Sequence, residues 1–101
     1  LEKIENIQVG DIVIGYQDGK KTEAKVLGKS IHFGFWTIYD YKGSWFTEHH
    51  RVYTSPDEEA VSVVTVSDKT DTYTGFVYNI ETETKNYFGE NDLLIHNRKT
   101  Q

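Results

Sequence analysis

A histidine–asparagine pair near the end of the sequence can act chemically on the polypeptide itself. The side-chain amide nitrogen of Asn97 can attack the carbonyl carbon of its own peptide bond, which forms a five-membered succinimide and releases the chain from Arg98 onward. This reaction is slow in loose peptides, so a fold must hold the reacting atoms in a near-attack geometry. His96 can protonate the leaving amine or hydrogen-bond the carbonyl, because an imidazole changes its charge near neutral pH.

Composition excludes several classes of protein. The 101 residues include 11 Lys or Arg against 16 Asp or Glu, and the net charge of -5 without a basic block argues against nucleic-acid binding. The length fits one domain, and no apolar run approaches the roughly 20 residues of a membrane helix. The aromatic content of 14% is too high for a disordered chain. Cysteine is absent, which excludes a disulfide, a thiolate metal site and a thiol nucleophile within this chain.

Most of the sequence has the pattern of short β-strands. Alternating apolar, aromatic and β-branched runs are separated by turn residues, and the runs cover 11–16, 22–28, 30–41, 44–46, 51–54, 61–67, 73–80, 86–88 and 93–95. Such a pattern predicts an all-β barrel or sandwich-like fold. The sequence Ser55-Pro56-Asp57-Glu58 favours a helix of one or two turns, with an N-cap serine and a proline at the first helical position.

The aromatic residues between Phe33 and Phe46 leave two interpretations open. Large aromatic side chains most often form the core of a small β domain. The alternative is a groove for a carbohydrate or a peptide. The histidines are scattered along the chain, and the adjacent pair His49 and His50 points to opposite faces of a strand, so a metal site is not predicted.

Blocks of the sequence resemble, in order, those of the Hint superfamily, which comprises inteins, bacterial intein-like domains and hedgehog-type autoprocessing domains. The blocks are 3–11 with Ile14-Gly15-Tyr16, Thr47-Glu48-His49-His50 continuing to Thr54, and 77–97, which ends in an apolar triplet and His-Asn. The resemblance spans nearly the whole chain. It implies the Hint horseshoe, an all-β fold, here without its first strands. It also implies a Hint domain over 1–97, with 98–101 as flanking residues.

The resemblance assigns roles to further residues. His50 faces the upstream scissile bond and assists the acyl shift to a nucleophile, and Thr47 orients that bond through its hydroxyl or backbone. Asn79 stands where many inteins have an aspartate, and it can hydrogen-bond but cannot ionise. Asn86 stands where many have a histidine, so more of the assistance to Asn97 falls to His96. No cofactor or metal is implied.

The resemblance also implies a partner. In inteins the nucleophilic Cys or Ser lies on a short segment ahead of the first block, and no such segment precedes that block here. The chain therefore resembles most the large C-terminal fragment of a split intein, with a short N-terminal partner that supplies the nucleophile and adds strands to unpaired edges. Arg98 follows the final asparagine, and a guanidinium is not a nucleophile. Cleavage at Asn97–Arg98 is thus expected, whereas ligation through residue 98 is not.

Two classes of function remain open from the sequence. The first is a self-processing Hint domain that acts once on its own flanks and is not a turnover enzyme in the strict sense. Within this class, the alternative to a split intein is an intein-like or toxin-associated Hint domain that cleaves without splicing. The second class is a non-catalytic ligand-binding β domain that uses its aromatic face. The first residues lack the basic and apolar regions of a signal peptide, so a cytoplasmic location is expected.

Overall fold

Antiparallel strands make up most of the structure, a computed structural model that describes residues 4–89 and 92–96. The elements are a 3-10 turn at Ile4–Asn6, strands β1 (Ile12–Gln17), β2 (Lys20–Tyr41), β3 (Ser44–Thr47), β4 (Arg51–Val52) and β5 (Val61–Ser62), helix α1 (Val63–Val66), and strands β6 (Lys69–Thr82), β7 (Asn86–Phe88) and β8 (Leu94–His96). The all-β prediction is confirmed. The predicted site residue Asn97 and its neighbour Arg98 lie outside the described residues, as do the flanking residues 99–101.

The strands form two four-stranded sheets. In the first sheet, β2 pairs with β1, β3 and β6, and in the second the order is β5-β4-β8-β7. Strand β2 can serve three partners because its first part pairs with β1 and its second part with β6 and β3, with a shift of register between Val26 and Gly28. The sequence pattern predicted separate strands over 22–28 and 30–41. In the structure the backbone continues through the register shift, so both segments belong to the single strand β2.

Tight two-residue turns set the register of the first sheet. Asp18 and Gly19 have positive φ angles of 55° and 78°, and Lys42 and Gly43 have 52° and 85°. Two successive positive φ angles are typical of the hairpin turn whose twist matches that of the flanking strands. The turns place Gln17 opposite Lys20 and Tyr41 opposite Ser44.

The hydrophobic core lies between the two sheets. Val26 and Ile80 contribute to it from the first sheet, Val52 contributes from the second, and all three are fully buried. The remaining buried members of the cluster are Ile7, Phe46, Val63, Tyr87, Leu93 and Ile95. Burial of one such aliphatic side chain contributes about 1.5–3 kcal/mol, so this cluster holds the sheets together.

The aromatic run is mostly outside this core, and the core interpretation was wrong for its central part. Residues 31–37 of β2 pair with β6 alone among the described strands and form a two-stranded ribbon with it. Phe33 and Phe35 are 66% and 74% exposed, and Phe76 packs edge-on against Phe33 at 5.0 Å between ring centroids. Phe46 is the buried member of the run.

The helix lies later in the chain than the sequence predicted. Ser55 to Glu58 forms a turn without a helix, closed by a hydrogen bond of 3.2 Å from the Glu58 amide to the Ser55 carbonyl. The helical turn is α1, within the valine-rich run that was expected to be a strand, and the Ser62 side chain caps it. Burial of Val63 in the core explains why tertiary packing prevails over β propensity here. No helix in the part of the chain that the structure describes is long and apolar enough to cross a membrane.

Close approach of β1 to β7 requires glycine at residue 15. A methyl group at Gly15 would overlap Thr84 Oγ1 and lie 3.1 Å from the Asn86 carbonyl oxygen. We expect Gly15→Ala to lower the free energy of unfolding by about 1–3 kcal/mol in denaturant titrations, because the strands must separate. Gly28→Ala is the control, since its methyl would meet only Glu81 Cβ at 3.8 Å, and its effect should stay within about 0.5 kcal/mol. Equal effects of the two variants would contradict this packing.

Candidate functional site

A large apolar cleft opens beside the core. Its volume is about 970 Å³, and residues of the 3-10 turn, of β1, β2, β3, β6, β7 and β8, and of the turn between β3 and β4 line it. Isoleucine and aromatic side chains dominate the lining, among them Ile12, Ile14 and Trp45, which are 56%, 42% and 45% exposed. Asp11 is the one carboxylate among the described lining residues, and no Lys or Arg joins it. The cleft therefore suits an apolar occupant.

A hydrogen-bonded polar pair, Thr47 and His50, lies in the wall of this cleft. The His50 amide donates to the Thr47 carbonyl at 3.1 Å, which closes a tight turn between β3 and β4. The turn brings the Thr47 hydroxyl within 3.0 Å of His50 Nδ1. Both residues are buried, at 4% and 6% exposure, and the His50 carbonyl accepts the Val63 amide at 3.0 Å. Backbone and side chain together thus fix the position of the imidazole.

The hydrogen bond at Nδ1 leaves the opposite ring nitrogen, Nε2, to define the chemistry of His50. In the neutral ring the Thr47 hydroxyl can donate to Nδ1, and Nε2–H then donates a hydrogen bond; in the protonated ring Nδ1–H donates to the Thr47 oxygen, and Nε2 can transfer its proton. When Nδ1 carries the only proton of the neutral ring, Nε2 is an acceptor. A positioned imidazole of this kind can give or take a proton from a peptide group in the cleft.

His96 ends β8 close to the turn that holds this pair. It is paired with Arg51 of β4, the residue that directly follows His50, and with Asn86 of β7. The next position along each of these strands is occupied by a buried residue that faces the core: Val52 on β4, Ile95 on β8 and Tyr87 on β7. Since successive strand residues face opposite sides, the half-buried His96 faces away from Ile95. Its ring lies 6.0 Å from that of Tyr53.

The structure therefore brings three predicted site residues to one end of the molecule. Thr47 and His50 touch each other and line the cleft, while His96 lies on the far face of the adjacent strand. Asn97 lies beyond the described residues.

Asn86 connects β7 to β1. Its side-chain Oδ1 accepts the Tyr16 amide at 2.9 Å, and its Nδ2 donates to the Tyr16 carbonyl at 3.0 Å. The Asn86 carbonyl accepts the hydroxyls of Thr82 and Thr84, both at 2.8 Å. The Asn86 side chain thus makes the two hydrogen bonds to the Tyr16 backbone that a neighbouring strand would otherwise make, and both its oxygen and its nitrogen take part.

Asn79 is a buried polar residue of β6, opposite Ser30 of β2. It is 6% exposed, and its side-chain Oδ1 has no hydrogen-bond partner among the described residues. An unsatisfied buried acceptor costs about 1–3 kcal/mol, and nearly all such atoms in proteins have a donor. The donor for Asn79 is to be sought outside the described part of the chain.

Tyr87 is a site residue that sequence analysis missed. It lies on β7 opposite Ile95, is buried, and lines the cleft together with Thr47 and His50. Burial raises the pKa of its phenol well above the usual value of 10.0, so the hydroxyl keeps its proton. The signal in the sequence was that a polar and an aromatic residue are adjacent in a strand. Successive strand residues face opposite sides, so when the Asn86 side chain binds Tyr16, Tyr87 faces the other side of β7.

Comparison of the sequence with protein-family models finds no match, and neither does comparison with curated proteins. No group of three or more His, Cys, Asp or Glu side chains within residues 4–89 and 92–96 could hold a metal ion.

Replacement of the Asn86 amide tests its structural role. Asn86→Asp keeps the shape, but the new carboxylate oxygen would face the Tyr16 carbonyl and repel it. We expect the free energy of unfolding at pH 7 to fall by about 2–4 kcal/mol in urea titrations. Asn6→Asp, the same change at an exposed position, should have an effect within about 0.5 kcal/mol. A variant at residue 86 as stable as this control would contradict the assignment.

Burial of Tyr87 predicts a loss of stability in alkali. The folded protein holds the phenolic proton to higher pH than the unfolded chain, in which the pKa is near 10.0. The corresponding stabilisation is complete below pH 10 and falls by up to about 1.4 kcal/mol per pH unit above it. Urea titrations between pH 9 and 11.5 should show this fall, and Tyr87→Phe should reduce its slope. Identical slopes for both proteins would contradict the burial of this phenol.

Proposed function

We propose that the chain is a self-processing domain of the Hint type, most like the large C-terminal fragment of a split intein, that acts in the cytoplasm. It cleaves the Asn97–Arg98 peptide bond by cyclisation of Asn97, and a short N-terminal segment completes the fold with a Cys or Ser nucleophile. The observation that carries the proposal is the buried Thr47–His50 pair at an apolar cleft, with β8, the strand that precedes Asn97, ending beside it.

Cleavage at the C-terminal side needs no group from outside the chain. The Asn97 amide nitrogen forms a bond to its own carbonyl carbon, and the bond from that carbon to the Arg98 nitrogen breaks. The products are a C-terminal succinimide and a free amine on Arg98. The Asn97 nitrogen loses one proton as it becomes the imide nitrogen, and the Arg98 nitrogen gains one as it leaves. His96 is the neighbouring residue that can donate the second proton and be reprotonated by the first.

The Thr47–His50 pair serves the upstream bond in this proposal. The partner's Cys or Ser attacks the carbonyl carbon that precedes it, which gives a thioester or ester and frees an amino group. The nucleophile loses its proton in this attack and the nitrogen gains one, so the shift has no net change in protons. Protonated His50 can supply the proton to the nitrogen from Nε2, while Nδ1–H donates to the Thr47 oxygen, and the imidazole can be reprotonated by the nucleophile. Burial of both side chains keeps water from competing for the same hydrogen bonds.

The cleft is the proposed docking place of the N-terminal segment. Its lining of Ile12, Ile14 and Trp45 is partly exposed, and an apolar strand would remove these side chains from water. Among the described strands β6 pairs with β2 alone, so the other edge of β6 is open to a further strand at the cleft.

Specific observations favour two other candidates. Arg98 favours a Hint domain that cleaves without splicing, because a guanidinium cannot accept the upstream chain. The exposed face of the ribbon, with Phe33, Phe35 and Phe76, favours a non-catalytic ligand-binding β domain. Only the self-processing candidates require Asn97 for their activity, so a reaction at residue 97 separates them from the ligand-binding domain.

Intact-mass spectrometry tests the proposal directly. The chain is extended beyond Gln101 by a tag and incubated alone and with short N-terminal intein segments that carry Cys or Ser. We expect the tag to be lost at Asn97–Arg98, faster with a segment present, and Asn97→Ala to abolish the loss. His96→Ala should slow it by about 10²-fold or more if the imidazole donates the proton.

The control is the uncleaved mass of the Asn97→Ala chain under the same conditions. An unchanged mass of the folded parent chain in every mixture would favour the ligand-binding candidate. Ligation of the segment's upstream flank to the tag would contradict the part of the proposal that rests on Arg98.

A further inference from the structure

The wall of the cleft holds a hydroxyl group that the proposed chemistry does not yet use. Tyr87 is 5% exposed, and its hydroxyl makes no hydrogen bond with any of the described residues. Among the described residues, the fully buried side-chain atom without a partner is Asn79 Oδ1 and not this hydroxyl, so the hydroxyl is open to a molecule in the cleft. Tyr87 lines the cleft, so a partner can reach it from the cleft side.

The position of this residue is fixed from both sides of its strand. Asn86 is held by the Tyr16 backbone, and Tyr87 therefore faces the core and the cleft. It is paired with Ile95, which lines the cleft as well. Few rotamers are open to a ring packed in a core cluster, so the hydroxyl is preorganised for binding.

The chemistry of the group defines what it binds. Burial keeps the phenol protonated through the neutral range, so it is present as an O–H donor. The described lining of the cleft contains no Lys or Arg, so no cationic donor competes with this hydroxyl for an acceptor there. A peptide carbonyl is the acceptor that an extended segment presents at regular intervals along its length.

We propose that Tyr87 donates a hydrogen bond to a backbone carbonyl of the N-terminal segment and so fixes that segment beside Thr47 and His50. This inference rests on the proposed function, and it goes beyond it by assigning a segment-binding residue on β7. Tyr87 is a binding residue here: it holds the peptide in place, while the proton transfer belongs to His50.

Removal of the hydroxyl alone is the test. The 101-residue chain with Asn97→Ala, which cannot cleave, is titrated with fluorescent synthetic N-terminal intein segments whose Cys or Ser is replaced by Ala. For the segment that binds most tightly, we expect Tyr87→Phe to raise the Kd about 3- to 10-fold, the loss of one hydrogen bond. Tyr39→Phe removes the same hydroxyl outside the cleft lining and should leave the Kd unchanged.

A spectroscopic readout separates binding from a structural role. In NMR spectra of protein labelled with ¹³C at the tyrosine Cζ, the variants Tyr87→Phe and Tyr39→Phe each remove one signal and so assign it. On addition of the segment, the Tyr87 signal should shift and the Tyr39 signal should stay in place. A Kd within a factor of two of the parent, together with an unshifted Tyr87 signal, would overturn the inference and leave the proposed function intact. If no segment binds, the docking model fails as well, and tag release by the unmodified chain then reports on self-cleavage separately.

Discussion

The hydrogen bonds between the Asn86 side-chain amide and the Tyr16 backbone join the two sheets, and the geometry of the site depends on them. Strand β1 belongs to the first sheet and β7 to the second, so this contact fixes the distance between the two walls of the cleft. Gly15 permits the close approach, because a side chain there would overlap Thr84. Hydrogen bonds are directional, whereas apolar contacts are not. The Asn86 side chain therefore fixes both the distance between β1 and β7 and the position of one strand along the other.

The sequence predicted the fold class and several of its parts for identifiable physical reasons. Alternation and turn residues are local signals, and they placed most of the strands and the hairpin at Lys42–Gly43 correctly. The proximity of Thr47 and His50 is equally local, since a turn over three residues brings them together. The role of Asn86 depends on a contact across 70 residues, and the ribbon depends on distant pairs such as Phe33 with Phe76; no local pattern encodes either. Helix α1 was missed because burial of Val63 overrides local propensity.

The exposed apolar groups at the cleft have an energetic meaning. The exposed isoleucines Ile12 and Ile14 at the cleft leave apolar surface in contact with water, which raises the free energy of the folded chain. Any molecule that covers them binds the folded form in preference to the unfolded form, and so stabilises the fold by mass action. Occupation of the cleft and stability of the fold are therefore coupled.

Strand β2 has a mechanical consequence. At about 3.3 Å per residue, a straight strand of its length would measure about 70 Å, whereas the longest dimension of the molecule is 35 Å. The strand must curve, and the register shift between Val26 and Gly28 is a point at which it can do so. One continuous backbone therefore spans the hairpin with β1 and the aromatic ribbon. A change in the curvature of β2 would therefore shift the hairpin and the ribbon relative to each other, because both are built on the same strand.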